Sequence, residues 1–101
     1  MKKNLQPNNW ETMEITEIKI NLATQKSSIK AYASITLDNI LVIHNIKILD
    51  GIKGMFIAMP SRKVSDKFLD IVHPLNTEFR LYIQSKILDD YNRIIQNVTN
   101  V

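Results

Sequence analysis

The residues best equipped to act on a ligand are cations. Arg62, Lys63 and Lys67 stand close together in the chain, with Lys47 and Lys53 shortly before them. Clustered guanidinium and ammonium groups meet phosphates by charge-assisted hydrogen bonds, and each contact releases counterions, so such a cluster is suited to a polyanion. Four phosphate contacts give a slope of log affinity on log salt of about −3.6, and a two-fold dimer doubles the contacts. One copy then binds weakly and two bind usefully. The plain alternative is a charged loop that does no more than stay solvated.

Other chemistry finds little support. His44 and His73 are isolated, and zinc sites take three or four ligands at characteristic spacings. His44 shares its parity with Val42 and Ile46, which reads as a core histidine, while His73 before Pro74 reads as a turn or helix-entry residue. Asp38, Asp50, Asp66 and Asp70 each sit beside a turn or loop, and Asx-type bonding to local backbone accounts for Asp38 and Asp50. No nucleophile elbow occurs, and GIKG lacks the length of a phosphate-binding loop. Catalytic residues, metal and cofactor are therefore all expected to be none, with no small-molecule substrate.

Composition narrows the setting. A chain of 101 residues fits one small domain. It has no cysteine, which rules out disulfides and thiolate ligands and suits the cytoplasm. Lys2 and Lys3 are followed by no apolar stretch of signal-peptide type, and no run approaches the roughly 18 apolar residues of a membrane helix. Thirteen Lys and Arg against ten Asp and Glu give +3, and the segment from Lys26 to Lys67 alone carries +4. The positive charge is thus central, and the flanks are slightly acidic.

Periodicity supplies the elements that must hold those cations. Residues 1–12, with Pro7 and no apolar period, read as a flexible arm that docks only through Trp10, and residues 99–101 as a tail. Glu14 to Leu22 alternates as a half-buried strand, followed by a polar turn at Gln25 to Ser28. Ile29 to Leu37 is the clearest strand, with Ile29, Ala31, Ala33, Ile35 and Leu37 on one face and Lys30, Tyr32, Ser34 and Thr36 on the other. Tyr32 could stack on an unpaired base, yet one aromatic makes no platform. Asp38 and Asn39 tolerate left-handed dihedrals and predict a tight hairpin into Ile40 to Leu49.

That third strand is apolar on both sides through Ile43, with Val42, His44, Ile46 and Ile48 expected on one of them. A helix covers one side, and a second copy of the chain is expected over Leu41 and Ile43 on the other. Gly51 and Gly54 mark the next turn. Met55, Phe56 and Met59 read as core on a short strand, which Pro60 ends. Ser61 to Phe68 is then expected as an exposed loop carrying Arg62, Lys63 and Lys67, with one more short strand at Leu69 to Val72. Asn76 is a good N-cap, and Leu81, Ile83, Ile87, Leu88, Tyr91, Ile94, Ile95 and Val98 fall within an arc of roughly 160°. The fold class predicted is α/β of the α+β kind. It is a single small domain with an antiparallel sheet of four to five strands and one long or two short C-terminal helices.

Four segments, taken in this order, resemble the SpoVG family, stage V sporulation protein G and the septation proteins related to it. They are MEITEIKI at Met13 to Ile20, AYASITLDN at Ala31 to Asn39, HNIKILDGIKGMFIAMPSRK at His44 to Lys63, and DIVHPLN at Asp70 to Asn76. The resemblance implies a small α/β domain over residues 13–98, assembled as a homodimer, and a regulator that binds DNA and often RNA, linked to septation or sporulation, with no enzyme activity. It places nucleic-acid contacts on the positions matching Arg62, Lys63 and, more loosely, Arg80. Residues 1–12 extend beyond the usual start, and VSDKFL lacks the family's Pro- and Gly-containing turn. The expected function is a dimeric nucleic-acid-binding regulator in which Arg62, Lys63 and Lys67 meet phosphates, supported by Lys53 and Arg80. The alternative is an adaptor in cell division that works through its sheet and needs no nucleic acid.

Overall fold

A computed structural model describes residues 13–24 and 27–99; the expected arm with Trp10, residues 25 and 26 of the polar turn and residues 100–101 of the tail lie outside them. Four strands, β1 (Ile15–Leu22), β2 (Ile29–Leu37), β3 (Leu41–Gly51) and β4 (Gly54–Ala58), form an antiparallel sheet in sequential order. β5 (Ser61–Val64) and β6 (Lys67–Asp70) make a separate two-stranded sheet, and α1 (Thr77–Thr99) closes the described chain.

β2 keeps its alternation from Ala31 onward, but a register shift between Ile29 and Ala31 pairs Ile29 with Leu49, so Ile29 does not share the face of Ala31 as its parity suggests. Ala31, Ala33, Ile35 and Leu37 are buried while Tyr32 is exposed. The turn that follows has Asp38 at φ 54° and Asn39 at φ 57°, and the Ile40 N–H donates to the Leu37 carbonyl at 2.9 Å. Asp38 also holds β1 in place, since its Oδ1 accepts the Glu14 N–H at 2.9 Å and its own N–H donates to the Glu14 carbonyl at 2.8 Å. Its carboxylate thus ties a distant strand rather than its own turn.

β3 departs from simple alternation. Ala33 pairs with Ile46 but Ile35 pairs with Ile43, so His44 and Asn45 together oppose Ser34. This is a β-bulge, and Asn45 takes the left-handed conformation it requires, at φ 64°. The extra residue reverses the parity of the strand. Leu41 and Ile43 therefore lie on the helix side with Ile46 and Ile48, whereas Val42 and His44 face the opposite way. The expected core histidine is an exposed residue whose Nδ1 is 2.9 Å from Ser34 Oγ. Asn45→Val should cost about 1–2 kcal/mol, because a side chain branched at Cβ resists positive φ, and Asn45→Gly should be tolerated. Urea denaturation of the two variants checks this; equal midpoints would remove the bulge from the account.

The helix begins where its N-cap predicts, with the Phe79 N–H donating to Asn76 Oδ1 at 2.7 Å, and continues unbroken through Asp89 to Asn92. Ile83 and Ile87 are fully buried against Ile46, Ile48, Ile57 and Met59. Leu81, at the far margin of the predicted arc, is exposed. The helix approaches both edge strands, β1 and β4. Tyr82 Oη accepts the Ile15 N–H at 3.1 Å on the first, and Gln84 Oε1 accepts the Ile57 N–H at 3.1 Å on the second. No helix among the described residues is long and apolar enough to cross a membrane.

One face of the sheet is thus covered and the other open. Cross-strand register puts Asn21, Tyr32, Lys47 and Ala58 in one row of the open face and Ile29, Leu49 and Phe56 in the next. Phe56 is not core, as alternation suggested; it is 43% exposed, and its ring takes the space a Cβ on Gly51 would need, 2.8 Å from Cε1. Met55 is half-buried and Met59 buried on the helix side.

Candidate nucleic-acid interface

The segment expected as a loop is a hairpin. Ser61 pairs with Asp70, Arg62 with Leu69, Lys63 with Phe68 and Val64 with Lys67, around a two-residue turn in which Ser65 has φ 57°. The Ile71 N–H donates to the Pro60 carbonyl at 2.8 Å and fastens the root. Without the glycine common at such a turn, Ser65 supplies the positive φ itself. The additional strand lies at Lys67–Asp70, two residues earlier than expected.

Pairing decides which cations share a surface, because cross-strand partners point to the same side. Arg62 and Lys67 stand on one side with Val64 and Leu69. Lys63 stands on the other with Phe68, its Nζ 6.0 Å from the ring centroid, and with Asp70 nearby on the same side. Arg62 and Lys67 are both exposed, and among the described residues neither forms an ion pair with a carboxylate. Arg80 is exposed in the first turn of α1. It follows Phe79, which lines a groove together with Met59 and Val72 at the hairpin root, so Arg80 lies at that same end. Lys53 does not, since it precedes β4 while the hairpin follows it, which puts the length of that strand between them.

The hairpin's strands pack chiefly on each other. It leaves Phe68 68% and Leu69 49% exposed, with Ile71 also exposed just beyond. A lone two-stranded hairpin is marginal in water. Beside its root opens the groove, about 460 Å³ in volume, with Leu41, Ile43, Met59, Val72, Leu75 and Phe79 among its walls. Leu41 and Ile43, the expected contacts with a second copy, thus line an apolar recess on the helix side rather than a separate layer on the opposite face. Nothing in the alternation of β3 alone could locate that recess. Its signal was the polar pair His44 and Asn45, which separates two apolar stretches by an odd spacing.

The SpoVG family model matches residues 13–93, which spans the sheet, the hairpin and most of the helix. The chain is 46% identical over 89 residues to "Putative septation protein SpoVG" of Clostridium novyi, covering 87% of this chain and 89% of the relative. It is 47% identical over 87 residues to the protein of the same name from Agathobacter rectalis, covering 85% and 100%, and 48% identical over 83 residues to that of Clostridium acetobutylicum, covering 81% and 87%. With the match running through both the bulged strand and the basic hairpin, this chain belongs to the SpoVG family, whose members compared above are named as septation proteins.

Proposed function

We propose that the protein is a regulator that binds DNA, and also RNA, as a homodimer. The observation that carries the reading is the pair Arg62 and Lys67, diagonal to each other on one surface of an exposed hairpin with no carboxylate ion pair among the described residues. Arg80 extends the positive surface at the hairpin's end of the domain, and Lys63 adds charge from the reverse side. Lys53, at the far end of β4, supports a ligand only if that ligand spans the sheet.

The second copy enters for a physical reason. Leu41 and Leu75 expose apolar surface in one recess, and covering it from a partner removes that surface from water at about 25 cal/mol per Å². A two-fold arrangement brings two hairpins onto one polynucleotide. Leu41→Glu should shift sedimentation equilibrium from dimer to monomer, and an unchanged mass would take Leu41 out of the interface.

Salt titration tests the function itself. Anisotropy of a labelled duplex should show affinity falling steeply between 50 and 200 mM salt, as counterion release requires. The exposed apolar side chains of the hairpin also suit the adaptor reading, in which the protein joins a cell-division partner. Partner binding of that kind is largely insensitive to salt, and a duplex that does not bind at 50 mM salt would favour it.

A further inference from the structure

The uncovered face of the sheet is a surface that the hairpin site does not use. Tyr32 on β2 and Phe56 on β4 are 39% and 43% exposed there, so one aromatic has become two. The strand between them and a two-residue offset along it separate the side chains by about 12 Å, taking about 4.8 Å per strand and 3.4 Å per residue. That spacing is too wide for one base to stack on both rings.

Charge on the same face has the sign a polynucleotide needs. Lys47 stands in the row between Tyr32 and Ala58, and Lys19 stands on β1, next to the strand of Tyr32. Lys53 follows from the turn beside Phe56. The opposing charge is Glu17, 3.8 Å from Lys19 in a pair whose side chains are 73% and 55% exposed. An exposed pair of that kind is weak and yields readily to a phosphate. Ser34, Thr36 and His44 give the centre of the face polar groups, with Ser34 Oγ 2.9 Å from His44 Nδ1 and Val42 beside Thr36.

We infer that this open face binds single-stranded nucleic acid, with bases stacked on Tyr32 and Phe56 and phosphates met by Lys47, Lys19 and Lys53. The inference rests on the nucleic-acid reading above but adds a second site, of different ligand form. Base stacking on an exposed ring tolerates any sequence and requires unpaired bases, so a duplex gains nothing from it. Gly51 has a place in the arrangement, because the Phe56 ring lies where any larger residue would put its Cβ.

The test compares a labelled twelve-nucleotide oligo(U), the matching oligo(dT) and a duplex of the same length by fluorescence anisotropy. Tyr32→Leu and Phe56→Leu should each weaken both single strands on the order of tenfold and leave the duplex within about twofold. Tyr32→Phe should restore single-strand affinity, and R62A/K67A should weaken all three probes. Thermal melts of the leucine variants should match the parent, since both positions are half-exposed.

Single-strand affinity untouched by the leucine substitutions overturns the inference, as does equal weakening of the duplex. A parent protein that binds duplex but neither single strand overturns it while the hairpin reading stands. Failure to bind any of the three probes sinks both. A lower sedimentation mass in the leucine variants would assign the face to a second copy and overturn it too.

Discussion

Alanine at both Arg62 and Lys67 is expected to weaken DNA binding uniformly across sequences and to flatten its salt dependence. Each phosphate contact adds about 0.9 to the slope, so removing two cations from each half of a dimer lowers it by about 3.6. That difference corresponds to a loss on the order of a hundredfold smaller between 50 and 200 mM salt. Lys63→Ala should do less, because its ammonium stands over Phe68 on the reverse side of the hairpin. All three side chains are exposed, so the melting temperature should not move and the effect is read as binding alone. An unchanged slope for the double variant would remove the hairpin from the interface.

Ile87→Ala should produce the largest loss of stability. Its side chain is fully buried among Ile46, Ile48, Ile83 and their neighbours. Truncation to alanine costs about 2–5 kcal/mol when the surroundings relax only in part. A domain of this size holds only about 5–15 kcal/mol in total, and each kcal/mol moves the midpoint by roughly 4–8 °C. The melt should therefore fall by about 10–30 °C. Leu81→Ala, on an exposed turn of the same helix, should stay within about 0.5 kcal/mol. Both melts need one protein concentration, because a dimer's midpoint depends on it. Equal midpoints for the two variants would mean that the helix does not pack as described.

What the chain revealed in advance follows from how many effects competed at each position. β2 was legible from Ala31 because its alternation runs unbroken from there to Leu37, though not at Ile29, and the start of α1 was legible because Asn76 serves both as turn residue and as cap. β3 was half legible. One extra residue at His44 and Asn45 inverts every side chain on its far side, and period counting carried straight through the bulge. The hairpin after Pro60 was missed since its strands hold four residues each, too few for a period to show, and its turn relies on Ser65 where Gly or Asn would have been a cue. For the candidate site, the cations were visible in the sequence, but their division between two sides of a hairpin was a matter of pairing.

The hydroxyl of Tyr82 and the amide of Gln84 have an effect beyond holding the helix in place. Each occupies a hydrogen-bonding position on an outermost strand that a foreign β-segment would otherwise use to extend the ladder. Fibril-like growth through either border is thereby hindered, and the molecule is left free to associate through its side chains at the hairpin end. Losing Gln84 would reopen one such border.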